Sequence, residues 1–282
     1  MKGKNVLITG ATSGIGLETA IKLVRMGASV HFIARNKTKA IGIRELLINE
    51  GNGRPSHFYI ADLSNQNSIR EIIPLIKKDH KVIDVLINNA GAVFQNFTLS
   101  NDGIEMTMAT NHFSYFLLTN LLLEEIKASK EGRIVIVSSG SNRQGKIDFE
   151  SFTQNKNYQV IRAYCQSKLA NILFTKYLSE LLKDHHVTVN CLHPGRVRTE
   201  IGKKNTGKFA SLAWSLFLKI SSVSVEKGAE TSIYLASSNQ VKNITGTYFS
   251  NCQPEAYNAI ADDEDLQNAL WQKSLELCPI EL

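Results

Sequence analysis

Tyr164 and Lys168 stand four residues apart in the run YCQSK, and of the eight tyrosines in the chain only this one has a lysine at that distance. On a helix, positions i and i+4 share a face. An ammonium group can then sit beside a phenol, favour the phenolate and bring its proton within reach of neutral-pH acid–base chemistry. Taken alone, such a pair is also compatible with an incidental surface contact; its place after a strand ending in Ser138 and Ser139 points to proton transfer. A second run, TGATSGIG at 9–16, places Gly10, Gly14 and Gly16 just ahead of a helical pattern. The spacing differs from GxGxxG, but the glycines do the same work: a tight turn, close backbone approach and a phosphate at a helix N-terminus. A purely structural corner is the alternative, and the strand before and helix after favour nucleotide binding.

Arg35 and Asn36 follow the second strand pattern, where chains that bind NAD place an acid for the ribose 2′-hydroxyl. Ala34 precedes them, and no acid is available there. Arg35 offers a planar guanidinium suited to a 2′-phosphate, with a solvated loop arginine as the other reading. Ser13, or its neighbour Thr12, can add a hydroxyl to the same phosphate. Asp62 and Leu63 follow the third strand, and Asn88, Asn89, Ala90 and Gly91 the fourth, at the edge where open α/β sheets bind ligands. Such Asp and Asn clusters also serve as turn and cap chemistry.

The elements that must carry these residues alternate along the chain. Short apolar, β-branched runs at 5–9, 29–34, 57–60, 82–87, 133–137, 187–192 and 247–249 read as seven strands. Amphipathic segments such as 14–26, 39–49, 103–128, 163–182 and 225–236 lie between them. This alternation predicts an α/β fold with a doubly wound, seven-stranded parallel sheet in a single domain over 1–282. No linker, repeat or composition shift divides it.

Composition narrows the class. The chain has 282 residues, 43% hydrophobic and 21% charged, with 18 Gly and only 5 Pro, which excludes disordered and collagenous chains. The longest apolar stretch, 209–220, contains Lys219 and is too short to span a bilayer, so no transmembrane segment is expected. With turn chemistry already at Gly10 there is no room for a signal-peptide core, and cytoplasmic residence is the expectation. Cys165, Cys191, Cys252 and Cys278 lie far apart and read as free thiols, without disulfide or metal-ligand spacing. The formal charge of +6 carries no basic block interleaved with aromatic residues, so a nucleic-acid partner is not expected.

Taken together, TGATSGIG, NNAG at 88–91, Asn111, Ser139, YCQSK at 164–168 and HPGRVRT at 193–199 resemble the short-chain dehydrogenase/reductase family, in that family's order and over essentially the whole chain. The stretches AYCQSKLANILFTKYL and TNHFSYFLLT look most like its retinol dehydrogenase-like branch, although the membrane anchor common there has no counterpart here. The resemblance implies a Rossmann fold, NADP(H) as cofactor and hydride transfer between an alcohol and an aldehyde or ketone. It implies that Tyr164 is the general acid or base, that Lys168 lowers its pKa and holds the nicotinamide ribose, and that Ser139 binds the substrate oxygen. Asn111 would anchor a water passing protons to Lys168. The cofactor would run past Gly10, Thr12, Ser13, Gly14, Ile15 and Gly16, then Arg35 and Asn36. Asp62 and Leu63 would meet its adenine edge, and Asn89, Ala90 and Gly91 its adenosine ribose. Pro194, Gly195, Val197 and Thr199 would line the nicotinamide.

From Ser139 to Tyr164 is twenty-five positions, against a family spacing of about a dozen, so 141–160 must loop out. Ser138 reads as part of the strand end, His193 as structural beside Pro194 and Gly195, and His185 with His186 as a solvated turn. A substrate lid is expected at about 200–224, where Phe209, Leu212, Trp214, Leu216, Phe217 and Leu218 form either a flap over an apolar substrate or ordinary core. A homodimer is an open expectation. Two other functions compete: a carbon–carbon double-bond reductase on the same scaffold, and a non-catalytic NADP(H)-sensing module. The sensor would not need Ser139, Tyr164, Lys168 and Asn111 together, and NADPH oxidation against aldehydes, ketones and enones separates the enzymes.

Overall fold

Alternating burial along each strand builds the molecule. In the computed structural model, which describes residues 1–154, 157–195 and 224–280, β1 (Asn5–Thr9) sends Val6 and Ile8 to one face of the sheet and Leu7 to the other. The same period of two recurs in β2 (Ser29–Ala34), β4 (Val85–Asn88), β5 (Gly132–Val137) and β6 (Val187–Leu192). Both faces are therefore apolar and both are covered, as a parallel sheet requires. Helices α1 (Gly14–Arg25), α2 (Lys37–Glu50) and α8 (Val225–Ser237) cover one face. On the other lie α3 (Gln66–Asp79), the helical run 106–127, α7 (Val160–Leu181) and α9 (Glu264–Leu277).

With β3 (Phe58–Ile60), β7 (Tyr248–Ser250) and β8 (Gln253–Pro254), the sheet order is β3-β2-β1-β4-β5-β6-β7-β8. The expected doubly wound Rossmann architecture is present. The count differs: among the described residues the sheet has eight strands rather than seven, and β8 runs antiparallel to β7. The extra strand is a two-residue pair closed by a hairpin whose central residues, Asn251 and Cys252, both have left-handed φ (48° and 60°). That is the backbone of a two-residue hairpin turn, here without the glycine that usually announces one.

The expected helix over 103–128 is broken. Gly103 is left-handed (φ 73°), α4 spans only Met106–Met108, Ala109–Phe113 forms a π-helical turn, and α5 (Ser114–Leu121) and α6 (Leu123–Lys127) follow. A π turn inserts extra backbone into a helix and re-aims one side chain, a feature common at functional sites. Asn111 lies in this turn and is fully buried. Pro74 lies inside α3, where a missing N–H and a helix-breaking residue type mask the pattern in sequence. Among the described residues no helix is long and apolar enough to cross a membrane, and the four cysteines are free.

At the sheet edge remote from the ligand side, His31, His57 and His80 cluster, with the His31 and His80 rings 3.9 Å apart. His31 Nδ1 accepts the His57 backbone N–H (3.1 Å), so the neutral ring is the form the fold holds. Burial, then repulsion from His80 and His57, pushes His31 from 6.5 down to about 3. The folded value lies below the unfolded one, so this contribution to stability is complete above about pH 6.5 and declines as pH falls below it, by up to ~1.4 kcal/mol per pH unit. His31→Phe should flatten the acid side of a Tm-against-pH profile; an unchanged slope would place the acid sensitivity elsewhere.

Candidate active site

The strand order reverses between β1 and β4, and the crevice at their C-terminal ends is laced by Thr9 and Asn89. Thr9 Oγ1 accepts the backbone N–H groups of Asn89 and Ala90, both at 2.9 Å. Asn89 Nδ2 donates to the carbonyls of Thr9 (2.8 Å) and Gly10 (3.4 Å). Asn88, by contrast, turns into the core and donates to Thr119 Oγ1 (2.8 Å). Gly10 is left-handed (φ 72°), and a Cβ on Gly16 would lie 2.4 Å from both the Gly10 carbonyl oxygen and Asn89 Nδ2. The turn thus closes only around glycine.

α1 begins at Gly14 with Ser13 extended ahead of it; no side chain caps this helix and its first turn holds no acid. Uncapped N–H groups at the positive end of a helix, above a cradle with no Cβ, fit a dinucleotide pyrophosphate. At the C-terminal end of β2, Ala34 is buried and Arg35, Lys37 and Lys39 are exposed. Arg35 makes no ion pair among the described residues. Asn36, expected to touch cofactor, has its side-chain oxygen committed to capping α2 through the Lys39 N–H (2.9 Å). Asp62 is likewise drawn into its own turn: one oxygen accepts from the Ser64 N–H (2.9 Å) and hydroxyl (2.8 Å). Leu63 belongs to the core.

α7 carries both Tyr164 and Lys168. Lys168 is 3% exposed, and Nζ donates to the Val137 carbonyl (3.1 Å) with no carboxylate partner among the described residues. Burial pushes its pKa from 10.5 down to about 7. Nζ lies 5.7 Å from the Tyr164 ring centre. Burial raises the Tyr164 pKa, and the nearby Ser139 hydroxyl opposes that rise. In the chain alone desolvation is the largest influence on the phenol, and Lys168 is not among the groups that act on it. Ser139 caps the 3-10 turn Gly140–Gln144, its hydroxyl accepting the Ser141 N–H (3.2 Å). Ser138 is a strand-end residue, its hydroxyl donating to the Lys168 carbonyl (2.7 Å).

Asn111 comes to the same place from the other side. Its side chain clasps Ala92, accepting the N–H (2.8 Å) and donating to the carbonyl (3.0 Å), and donates to Ser167 Oγ (3.1 Å). A Cβ on Gly91 would lie 3.3 Å from Asn111 Oδ1 and 3.6 Å from Lys168 Nζ, which puts Gly91 against both. The long connection after Ser139 folds back because Asn142 donates to the Ser139 carbonyl (2.7 Å) and Tyr248 Oη (3.0 Å) and accepts the Asn258 N–H (3.0 Å). Pro194 and Gly195 follow β6, with Gly195 left-handed (φ 78°). Val197, Thr199 and the expected lid, with Trp214 and its apolar neighbours, lie outside the described residues, apart from Ser224, which caps α8.

Several supporting residues escaped the sequence reading. Asn171 Nδ2 donates to the Asn111 carbonyl (2.9 Å), joining α7 to the π turn. Its place three residues past Lys168 and seven past Tyr164, on the same helix face, was the available signal. Tyr115 Oη holds the Ala90 carbonyl (2.7 Å), and Thr9 ties β1 to β4; neither carries a pattern of its own.

The short chain dehydrogenase family profile matches residues 4–208. Retinol dehydrogenase 13 of Homo sapiens is 38% identical over 284 residues, covering 99% of this chain and 86% of that protein. Retinol dehydrogenase 14 of Mus musculus is 40% identical over 290 residues, covering 97% and 85%. Among solved structures, an uncharacterized protein of Mycobacterium paratuberculosis superposes with TM-score 0.79 at 30% identity, over 99% of this chain and 95% of that one. A short chain dehydrogenase of Shigella flexneri solved with NADP has TM-score 0.68 at 22% identity, over 90% and 98%, a likeness of fold.

Gly16→Ala tests the cradle. A methyl 2.4 Å from backbone must push the turn open, so dinucleotide affinity should fall by on the order of tenfold or more while the far-ultraviolet spectrum is kept. Wild-type affinity in a folded Gly16→Ala protein would contradict the geometry.

Proposed function

Because the chain belongs to the short chain dehydrogenase family, we propose that it is an NADP(H)-dependent oxidoreductase interconverting an apolar alcohol with its aldehyde or ketone. The observation that carries this reading is the convergence of Tyr164, Lys168, Ser139 and Asn111 at the sheet's C-terminal edge, beside the glycine cradle. A nicotinamide held there would supply or take up the hydride. In reduction Tyr164 Oη gives its proton to the carbonyl oxygen; in oxidation it takes the hydroxyl proton. Ser139 Oγ holds that oxygen, and Lys168 would hold the cofactor's ribose hydroxyls and favour the phenolate. Asn111 keeps the Gly91–Ala92 wall closed against Lys168.

Support for an apolar substrate comes from the retinol dehydrogenase relatives and from the rim of the site. Val93, Phe94 and Phe97 are partly exposed just past Gly91. Ile161, one turn ahead of Tyr164 on the same helix face, is 63% exposed. NADP(H) is favoured over NAD(H) by Arg35, Lys37 and Lys39 at the adenosine end, where Ala34 leaves no carboxylate to repel a phosphate.

Tyr164→Phe should keep cofactor binding and lose turnover of long-chain or retinoid-like aldehydes by a factor of about a hundred to ten thousand. Turnover within a few-fold of wild type would remove Tyr164 from the chemistry, and better turnover of short polar aldehydes would remove the apolar preference.

Cofactor choice has its own test. Wild type should bind NADPH more tightly than NADH by on the order of tenfold to a hundredfold, and the pair Ala34→Asp with Arg35→Ala should reverse that order. Dissociation constants at one salt concentration decide it, and tighter NADH binding by the wild type would refute the assignment.

A further inference from the structure

His193 follows β6 directly and ties together two segments that border the site. Its own backbone N–H donates to the Phe249 carbonyl (3.0 Å), fixing its place against β7. Its Nδ1 accepts the Gly195 N–H at 3.0 Å, two residues on. Nε2 lies 3.4 Å from Glu255 Oε2. Glu255 is held in turn by Arg143 Nη2 (2.6 Å) and by its backbone N–H on the Tyr248 carbonyl (2.9 Å). The Tyr248 ring stacks on the imidazole at 5.8 Å, and Gly140, next to Ser139, approaches it closely enough that a Cβ there would stand 3.9 Å from Cε1.

A nitrogen that accepts an N–H bond carries no proton, so Nδ1 is bare and the neutral ring bears its hydrogen on Nε2, toward Glu255. We propose that His193 is a positioning residue: Glu255 selects the tautomer whose Nδ1 holds the left-handed Gly195, and this sets the Pro194–Gly195 backbone against the Ser139–Gly140 turn. The proposal rests on the reading of those two segments as the nicotinamide and substrate-oxygen sides of the site.

The clasp has a built-in pH response. Protonation places a hydrogen on Nδ1, donor against donor with the Gly195 N–H, and the bond is lost. Burial depresses the His193 pKa from 6.5, Glu255 opposes that, and Arg143 reinforces it. These two charges, with the Tyr248 phenol, are the titratable or charged groups facing the ring among the described residues. The depressed value keeps the clasp intact at and above pH 6.5 and releases it as pH falls through the folded pKa.

Three proteins test this: wild type, His193→Asn and His193→Ala. The asparagine oxygen can accept the same i+2 N–H as in an Asx turn and stays neutral at every pH, whereas alanine accepts nothing. In cofactor-free wild type, the Gly195 amide resonance should move toward a non-bonded position as pH is lowered from about 7.5 to 5; in His193→Asn it should stay flat. With NADPH and an apolar aldehyde, His193→Asn should keep kcat within a few-fold and lose the wild-type acid limb of kcat. His193→Ala should lose kcat by on the order of ten- to a hundredfold with NADPH affinity little changed. The inference is overturned if the Gly195 amide does not titrate in wild type, if His193→Asn is as impaired as His193→Ala, or if the acid limb survives in His193→Asn. A titrating amide in a wild type with no aldehyde turnover would instead refute the proposed function and leave the clasp standing.

Discussion

An ammonium group with no carboxylate to answer it is the constraint around which this site is built. Lys168 enters the centre of the fold on α7, is almost wholly buried and, among the described residues, donates a hydrogen bond only to the Val137 carbonyl. A buried, unpaired charge costs several kcal/mol, and the chain meets that cost by holding the group near neutrality, at about 7. Everything nearby is arranged to keep the position while leaving the charge unpaired. Ser138 bonds the Lys168 backbone, Asn171 joins the same helix to the π turn, and Asn111 fastens the wall that faces Nζ. A nearby Asp or Glu would stabilise the free protein by pairing the lysine.

The Tyr164–Lys168 pair therefore has a different character from that suggested by spacing alone. At i and i+4 the two groups meet as expected, with Nζ 5.7 Å from the ring centre. Yet in the free chain desolvation acts on both, raising the phenol and lowering the amine. Each is pushed toward its neutral form. The glycine cradle and the uncapped N-terminus of α1 lie at the same sheet edge and fit a dinucleotide pyrophosphate.

Much of the architecture was legible because it follows from period and punctuation. Alternating apolar runs mark the strands, and the glycines of TGATSGIG mark the first crossover, since only residues without Cβ close that turn. What stayed hidden depends on contacts distant in sequence. The π turn at 109–113 owes its place to partners at Ala92, Ser167 and Asn171. The eighth strand is two residues long behind a turn without glycine. The long connection after Ser139 is anchored by Asn258, more than a hundred residues away. Local pattern cannot display an anchor of that kind.

The account depends on Lys168 being desolvated and unpaired, and that state can be measured directly. In cofactor-free protein carrying lysine labelled at Cε, the Lys168 resonance, assigned by its loss in Lys168→Met, can be followed through a pH titration. The account predicts a midpoint near 7, well below the 10.5 of an ordinary lysine. A midpoint at or above the ordinary value would mean that the ammonium is solvated or paired, and would contradict it.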